Sequence, residues 1–162
     1  MNKILKKLEQ FGIVPVVVLE DDKDAALLAK ALCDGGLACA EVTFRTAAAE
    51  ESIRIMSEKF PEMVVGAGTV LTVEQVDSAV KAGAQFIVSP GFNPVVVKYC
   101  IDHEIPITPG VVTPSEMEQA IAMGLEVVKF FPAEPSGGLD MIKAVAAPYT
   151  TLRFMPPLCI TP

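Results

Sequence analysis

The stretch "LEVVKFFPAE", residues 125–134, sets one lysine, Lys129, inside an apolar, β-branched and aromatic run that reads as a buried strand. A buried ammonium loses its hydration, so it must find a partner or give up its proton. The first outcome gives an ion pair and the second gives an amine nucleophile. A second polar series lies in "AEVTFRT", where alternation puts Glu41, Thr43 and Arg45 on one strand face and Ala40, Val42 and Phe44 on the other. Thr69 closes a third apolar run, "VVGAGT". Glu41, Arg45, Thr69 and Lys129 are thus a carboxylate, a guanidinium, a hydroxyl and an amine carried on three strands. Brought together, they could converge on one site; apart, Glu41 and Lys129 form only a structural ion pair.

What must position them follows from the alternation of the chain. Short β-rich runs at residues 13–19, 39–44, 63–68, 86–89, 105–108, 126–131 and 152–155 are separated by amphipathic segments. "TPSE" marks a helix start with Thr113 as N-cap, Pro114 at the first helical position and Glu116 closing a capping box, "TVEQ" repeats the pattern with Thr72 and Gln75, and Asn93–Pro94 opens another helix. Gly35, Gly83 and Gly124 follow amphipathic runs, where a left-handed C-cap favours glycine. Strand and helix alternating this regularly predict parallel strands joined by right-handed crossovers. The first strand is followed by "VVVLEDDKD", with no glycine-rich dinucleotide loop, which favours a (β/α) barrel over an open sheet. "GAG" at Gly66–Gly68 reads as tight packing at a strand end. In a barrel the polar face of 41–45 points into the lumen and its later members reach the C-terminal rim, where barrel sites are built.

Composition restricts the partner. A chain of 162 residues is expected to form one domain, and 51% hydrophobic residues supply a substantial core. The net charge of −7 repels nucleic acid and anionic membrane, so a small molecule is the expected partner. The start "MNKILKKLEQFG" is amphipathic and unlike a signal peptide, and the expected setting is cytoplasmic. Cys33, Cys39, Cys100 and Cys159 are scattered without metal-ligand spacing, and the one histidine, His103, is expected in solvent at a helix end, so neither metal nor cofactor is expected.

"EVTFRT", "GAGTV", "VSPG", "PGVVTPSE", "VVKFFPAE" and "RFMP", in this order and spacing, closely resemble the 2-keto-3-deoxy-6-phosphogluconate aldolases, which include 4-hydroxy-2-oxoglutarate aldolases. The resemblance runs from about Ile13 to Pro156. It implies a (β/α)8 barrel, usually trimeric, in which a Schiff-base lysine, without metal, cleaves a 2-keto sugar acid into pyruvate and an aldehyde. Matched by motif, Lys129 is implied as the Schiff-base lysine and Glu41 as the general acid/base. Arg45 and Thr69 are implied to hold the pyruvate carboxylate, with Pro90 of "VSPG" and Phe131 of "VVKFFPAE" completing the substrate site. The pattern departs after "RFMP": Pro157, Leu158 and Cys159 stand where the family has a threonine and two glycines. Those glycines resemble the phosphate cradles of other barrels, whereas proline lacks an N–H and leucine brings bulk. A preference for an unphosphorylated substrate such as 4-hydroxy-2-oxoglutarate is therefore expected. About seven of eight strands are expected, leaving edges at the first and seventh. The alternative to an active aldolase is a silent scaffold that acts only through oligomerisation.

Overall fold

Alternating strands and helices build one curved parallel wall in the computed structural model, which describes residues 1–155. After helix α1 (Lys3–Phe11) come β1 (Val16–Val17), α2 (Ala25–Asp34), β2 (Cys39–Thr43), α3 (Ala49–Lys59), β3 (Val64–Gly68), α4 (Val73–Lys81), β4 (Phe86–Val88) and α5 (Pro94–Asp102). The second half follows with β5 (Ile107–Thr108), β6 (Gly110–Val111), α6 (Pro114–Ala122), β7 (Val127–Phe130), α7 (Gly138–Ala146) and β8 (Arg153–Met155). Pairing runs β1 to β5 in order and then β6 to β8, every pair parallel. The architecture is thus the α/β barrel wall the sequence predicts, and among the described residues β1 and β8 are its edges.

Two strand boundaries differ from expectation for backbone reasons. The run at 105–108 continues to Val111 but is split by Pro109, which has no N–H to give to a ladder, so one barrel strand appears as β5 and β6. The first run, expected over 13–19, is strand only at Val16–Val17, with the Pro15 carbonyl also accepting from Glu41 N–H, and it has a neighbour on one side alone. Helix ends follow the predicted signals more closely. Thr113 and Glu116 form the complete capping box, and Asn93 Oδ1 accepts the Val95 N–H at 3.0 Å. Thr72 accepts the Gln75 N–H, but Gln75 reaches past the cap to accept from the Leu71 N–H at 2.7 Å, so that box does not close on itself. Gly83 and Gly124 have the expected positive φ; Gly35 does not, at −79°. The left-handed residue there is Gly36, whose N–H bonds Cys33 O while Leu37 N–H bonds Leu32 O, a Schellman closure displaced by one residue.

The pleat sorts the wall into two faces. Ala40, Val42, Val65, Ala67 and Ile87 pack outward on helix residues such as Ile53, Met56 and Val76. Cys39, Val64, Phe86 and Val88 pack inward, where Leu8 of α1 joins them and plugs the N-terminal mouth. Glycine makes that lumen possible at β3: the Phe86 ring lies where a Cβ on Gly66 would be, and burying such a ring contributes roughly 1.5–3 kcal/mol. Gly68 plays the same part for the Glu41 carboxylate. The "GAG" run is therefore close packing, as its sequence suggests. Ion pairs between Met1 N and Glu126 Oε2 (2.5 Å), and between Arg153 and Glu9, tie the N-terminal segment to the β7–β8 side.

Candidate active site

The lumen-facing parity of β2 delivers Glu41 to the inside of the wall, 2% exposed. β7 delivers Lys129 from the opposite side, and its Nζ lies 3.3 Å from Glu41 Oε1 although 88 residues separate them in sequence. Lys129 is itself 8% exposed. Its neighbour in register is Gly110 of β6, and a Cβ at Gly110 would strike the Pro90 carbonyl, so Pro90 comes down on the strand beside the lysine. Phe131, just past β7, turns its ring to 5.3 Å from Lys129 Nζ, within cation–π range.

Arg45 and Thr69 form a second pair one level higher. Both lie just past strand ends, Arg45 in the turn after β2 and Thr69 after β3, because the pairing of Phe44 N–H with Gly68 O is the last rung between those strands. Arg45 Nε donates to Thr69 Oγ1 at 3.4 Å, with Arg45 exposed and Thr69 half-buried. The structure thus sets Glu41 and Phe131 each beside Lys129, Pro90 against the lysine's neighbouring strand, and leaves Arg45 and Thr69 as a pair at the rim.

Burial pushes the Glu41 carboxyl above the ordinary carboxylate range, an effect opposed first by Lys129 and then by Arg45. A carboxyl raised in this way can give and take a proton nearer neutrality than a solvated one. The other reactive side chains are inert by contrast: burial pushes the Cys39 thiol up to about 11 and the Cys100 thiol to about 12. His103 sits exposed at the end of α5. Among the described residues no group of three or more His, Cys, Asp and Glu is arranged to hold a metal ion, and no helix is long and apolar enough to cross a membrane. Pro157, Leu158 and Cys159 lie outside the described residues.

Sequence reasoning passed over two further lumen residues, Thr43 and Thr108, both fully buried. The alternation in 41–45 already put Thr43 on the polar face; for Thr108 the only signal was a hydroxyl in "IPITPG" where an apolar residue would serve the core. A cavity of about 300 Å³ between α1, β1 and β8 reaches Glu41, Thr108 and Lys129.

A buried lysine and carboxylate thus face each other in a parallel barrel lumen, below the Arg45–Thr69 pair at the rim. The chain belongs to the KDPG and KHG aldolase family, whose model matches residues 4–162, and is therefore a lyase of the aldolase type. It is 52% identical over 156 residues to a 2-dehydro-3-deoxy-phosphogluconate aldolase of Treponema pallidum, covering 96% of this chain and 74% of that protein. The crystal structure of the 2-keto-3-deoxy-6-phosphogluconate aldolase of Zymomonas mobilis with 3-phosphoglycerate superposes with a TM-score of 0.93 at 40% identity, over 99% of this chain and 77% of that one. That of the aldolase from Legionella pneumophila, with pyruvate captured as a covalent carbinolamine, gives 0.87 at 39% identity over 91% and 71%.

Proposed function

We propose that this chain is a Schiff-base aldolase that cleaves 2-keto-3-deoxy-6-phosphogluconate or 4-hydroxy-2-oxoglutarate into pyruvate and the matching aldehyde, glyceraldehyde 3-phosphate or glyoxylate. The observation that carries this reading is the buried approach of Lys129 Nζ to Glu41 Oε1 at 3.3 Å in the barrel lumen. A buried ion pair adds little net stability, so a structural role alone is a weak reason for its presence. The Lys129 amine attacks the C2 ketone, and loss of water leaves a protonated imine. Glu41 takes the proton of the C4 hydroxyl. The C3–C4 bond then breaks, its electron pair flows into the iminium as an enamine, and the aldehyde departs. Protonation at C3 and hydrolysis of the imine release pyruvate and restore the amine.

The rim supplies binding. Arg45 offers two parallel N–H groups to the pyruvate carboxylate, Thr69 adds a hydroxyl, and Pro90 and Phe131 wall the keto acid against Lys129. Neither metal nor organic cofactor enters this scheme. The resemblance to the family also supports a homotrimer and a cytoplasmic setting. Borohydride added with pyruvate should attach a reduced pyruvyl group to Lys129, read by intact mass and peptide mapping, and Lys129→Ala should abolish both adduct and turnover while keeping the circular dichroism of the parent. Folded protein that forms no adduct would favour the silent-scaffold alternative, and an adduct on another lysine would remove Lys129 from the mechanism.

A further inference from the structure

Two buried hydroxyls share a layer of the lumen with the Glu41 carboxylate and have no protein partner among the described residues: Thr43 Oγ1 and Thr108 Oγ1. Buried polar groups are nearly always hydrogen-bonded, so two orphans in one layer call for a partner that the described residues do not supply. The register fixes their placement. Thr43 pairs with Gly68, Ala67 with Ile87, and Val88 with Thr108, so Thr43, Gly68, Val88 and Thr108 form one row from β2 to β5. Glu41 is rooted two residues lower, but its carboxylate rises into the space that Gly68 leaves open, where any Cβ would collide with Oε1. Lys129 occupies Oε1, and among the described residues no donor reaches Oε2. Thr108, Glu41 and Lys129 line one cavity of about 300 Å³, while each water needs roughly 30 Å³ and two to four polar partners.

We propose that Thr108 is a positioning residue for Glu41, its hydroxyl holding a lumen water against Oε2 of the carboxylate. Resting on the acid/base role given to Glu41 above, this assigns the water two tasks. It satisfies the Thr108 hydroxyl, and it donates to the ionised carboxylate, restraining its rotation and offsetting part of the cost of its burial. The charged groups facing Glu41 are Lys129 from β7 and Arg45 from the end of β2, with Glu9 and Arg153 on the far side of the same cavity. Lys129 donates to Oε1 and Arg45 carries donors only, so neither is placed to accept from the Thr108 hydroxyl.

The experiment compares Thr108→Val, which keeps the shape and removes the hydroxyl, with Thr108→Ser, which keeps the hydroxyl, and places Thr108→Val in the Glu41→Gln background. Steady-state cleavage is followed from acid to neutral pH. Thr108→Val should lower kcat about tenfold, as loss of one water-mediated contact to a reacting carboxylate does, leave KM within about twofold, and move the acid limb of the profile to higher pH. Thr108→Ser should restore rate and profile, and Thr108→Val should have no further effect once Glu41 is glutamine. Thr108→Ala gives the same comparison should the valine fail to fold. An unmoved rate and profile in the valine variant, a serine variant as poor as the valine one, or a full valine penalty in the Glu41→Gln background would each overturn the inference. Wild-type kcat in Glu41→Gln alone would instead sink the acid/base reading beneath it.

Discussion

Glu41 and Arg45 leave the same strand four residues apart and end in different media. Glu41 is 2% exposed in the lumen, touching Lys129 and the space above Gly68; Arg45 stands exposed in a turn, held among the described residues to Thr69. The first environment changes what a group is, because desolvation moves its proton affinity and strengthens every nearby charge. The second keeps a group in contact with water and fixes only where it points. In the proposed scheme, proton transfer belongs to the lower level and carboxylate capture to the upper one. Substitutions at the two levels should separate turnover from affinity.

The largest expected effect lies beyond both levels and shows whether a second anion site completes the rim. With Pro157 and Leu158 where the family pattern has Thr-Gly, and Cys159 in place of the second glycine, proline lacks an N–H and the two side chains crowd positions where glycine admits a phosphate closely, so about two charge-assisted hydrogen bonds are expected to be lost. Each charge-assisted bond contributes about 1.5–3 kcal/mol, so kcat/KM for 2-keto-3-deoxy-6-phosphogluconate should fall on the order of 10³-fold relative to a Pro157→Thr, Leu158→Gly, Cys159→Gly variant. 4-Hydroxy-2-oxoglutarate carries no phosphate and should change little. Equal response of the two substrates would mean that phosphate is held elsewhere, as at the Ser136–Gly138 turn before α7.

Glu41→Gln tests the lower level. Turnover should drop roughly 10²-fold or more, with KM for the keto acid nearly unchanged, as loss of a proton carrier does. The pH dependence follows from the direction of the shift. Burial raises the Glu41 carboxyl, so the ionised base is depleted as pH falls through that raised value, and the acid limb of kcat should lie above the ordinary carboxylate range. Glutamine does not titrate, so the limb should vanish in the variant. A limb that persists belongs to another group.

How much of this was legible beforehand depends on whether a feature is local or relational. Period-two alternation in 41–45 separates Glu41 from Val42 without any structure, and capping at Thr113 is written in four consecutive residues. Lys129 drew notice because a cation in an apolar run violates its surroundings. Glycine at 68 reads only as tight packing and threonine at 108 only as a stray hydroxyl in an apolar run. Their significance arises only when register sets Gly68 beneath the Glu41 carboxylate and Thr108 in the cavity that reaches Lys129. Similarly, Pro109 looks like the end of a strand, and only the pairing of Gly110 with Lys129 reveals that the barrel strand resumes beyond it.

The smallest expected effect is at the upper level, and it is the one that decides whether the two levels are distinct. Arg45 is exposed, so water and salt screen its charge and its contribution to binding is modest compared with a buried pair. Arg45→Ala should raise KM for either keto acid about tenfold, leaving kcat within about threefold, because the lost contact serves ground state and transition state alike. Arg45→Lys should recover only part of the affinity, since an ammonium keeps the charge but not the two parallel donors. KM of the parent should rise with ionic strength, and that dependence should flatten in Arg45→Ala. Were Arg45→Ala instead to cut kcat as deeply as Glu41→Gln at constant KM, Arg45 would be acting on Glu41 through the charge it contributes there, and the two levels would be a single coupled site.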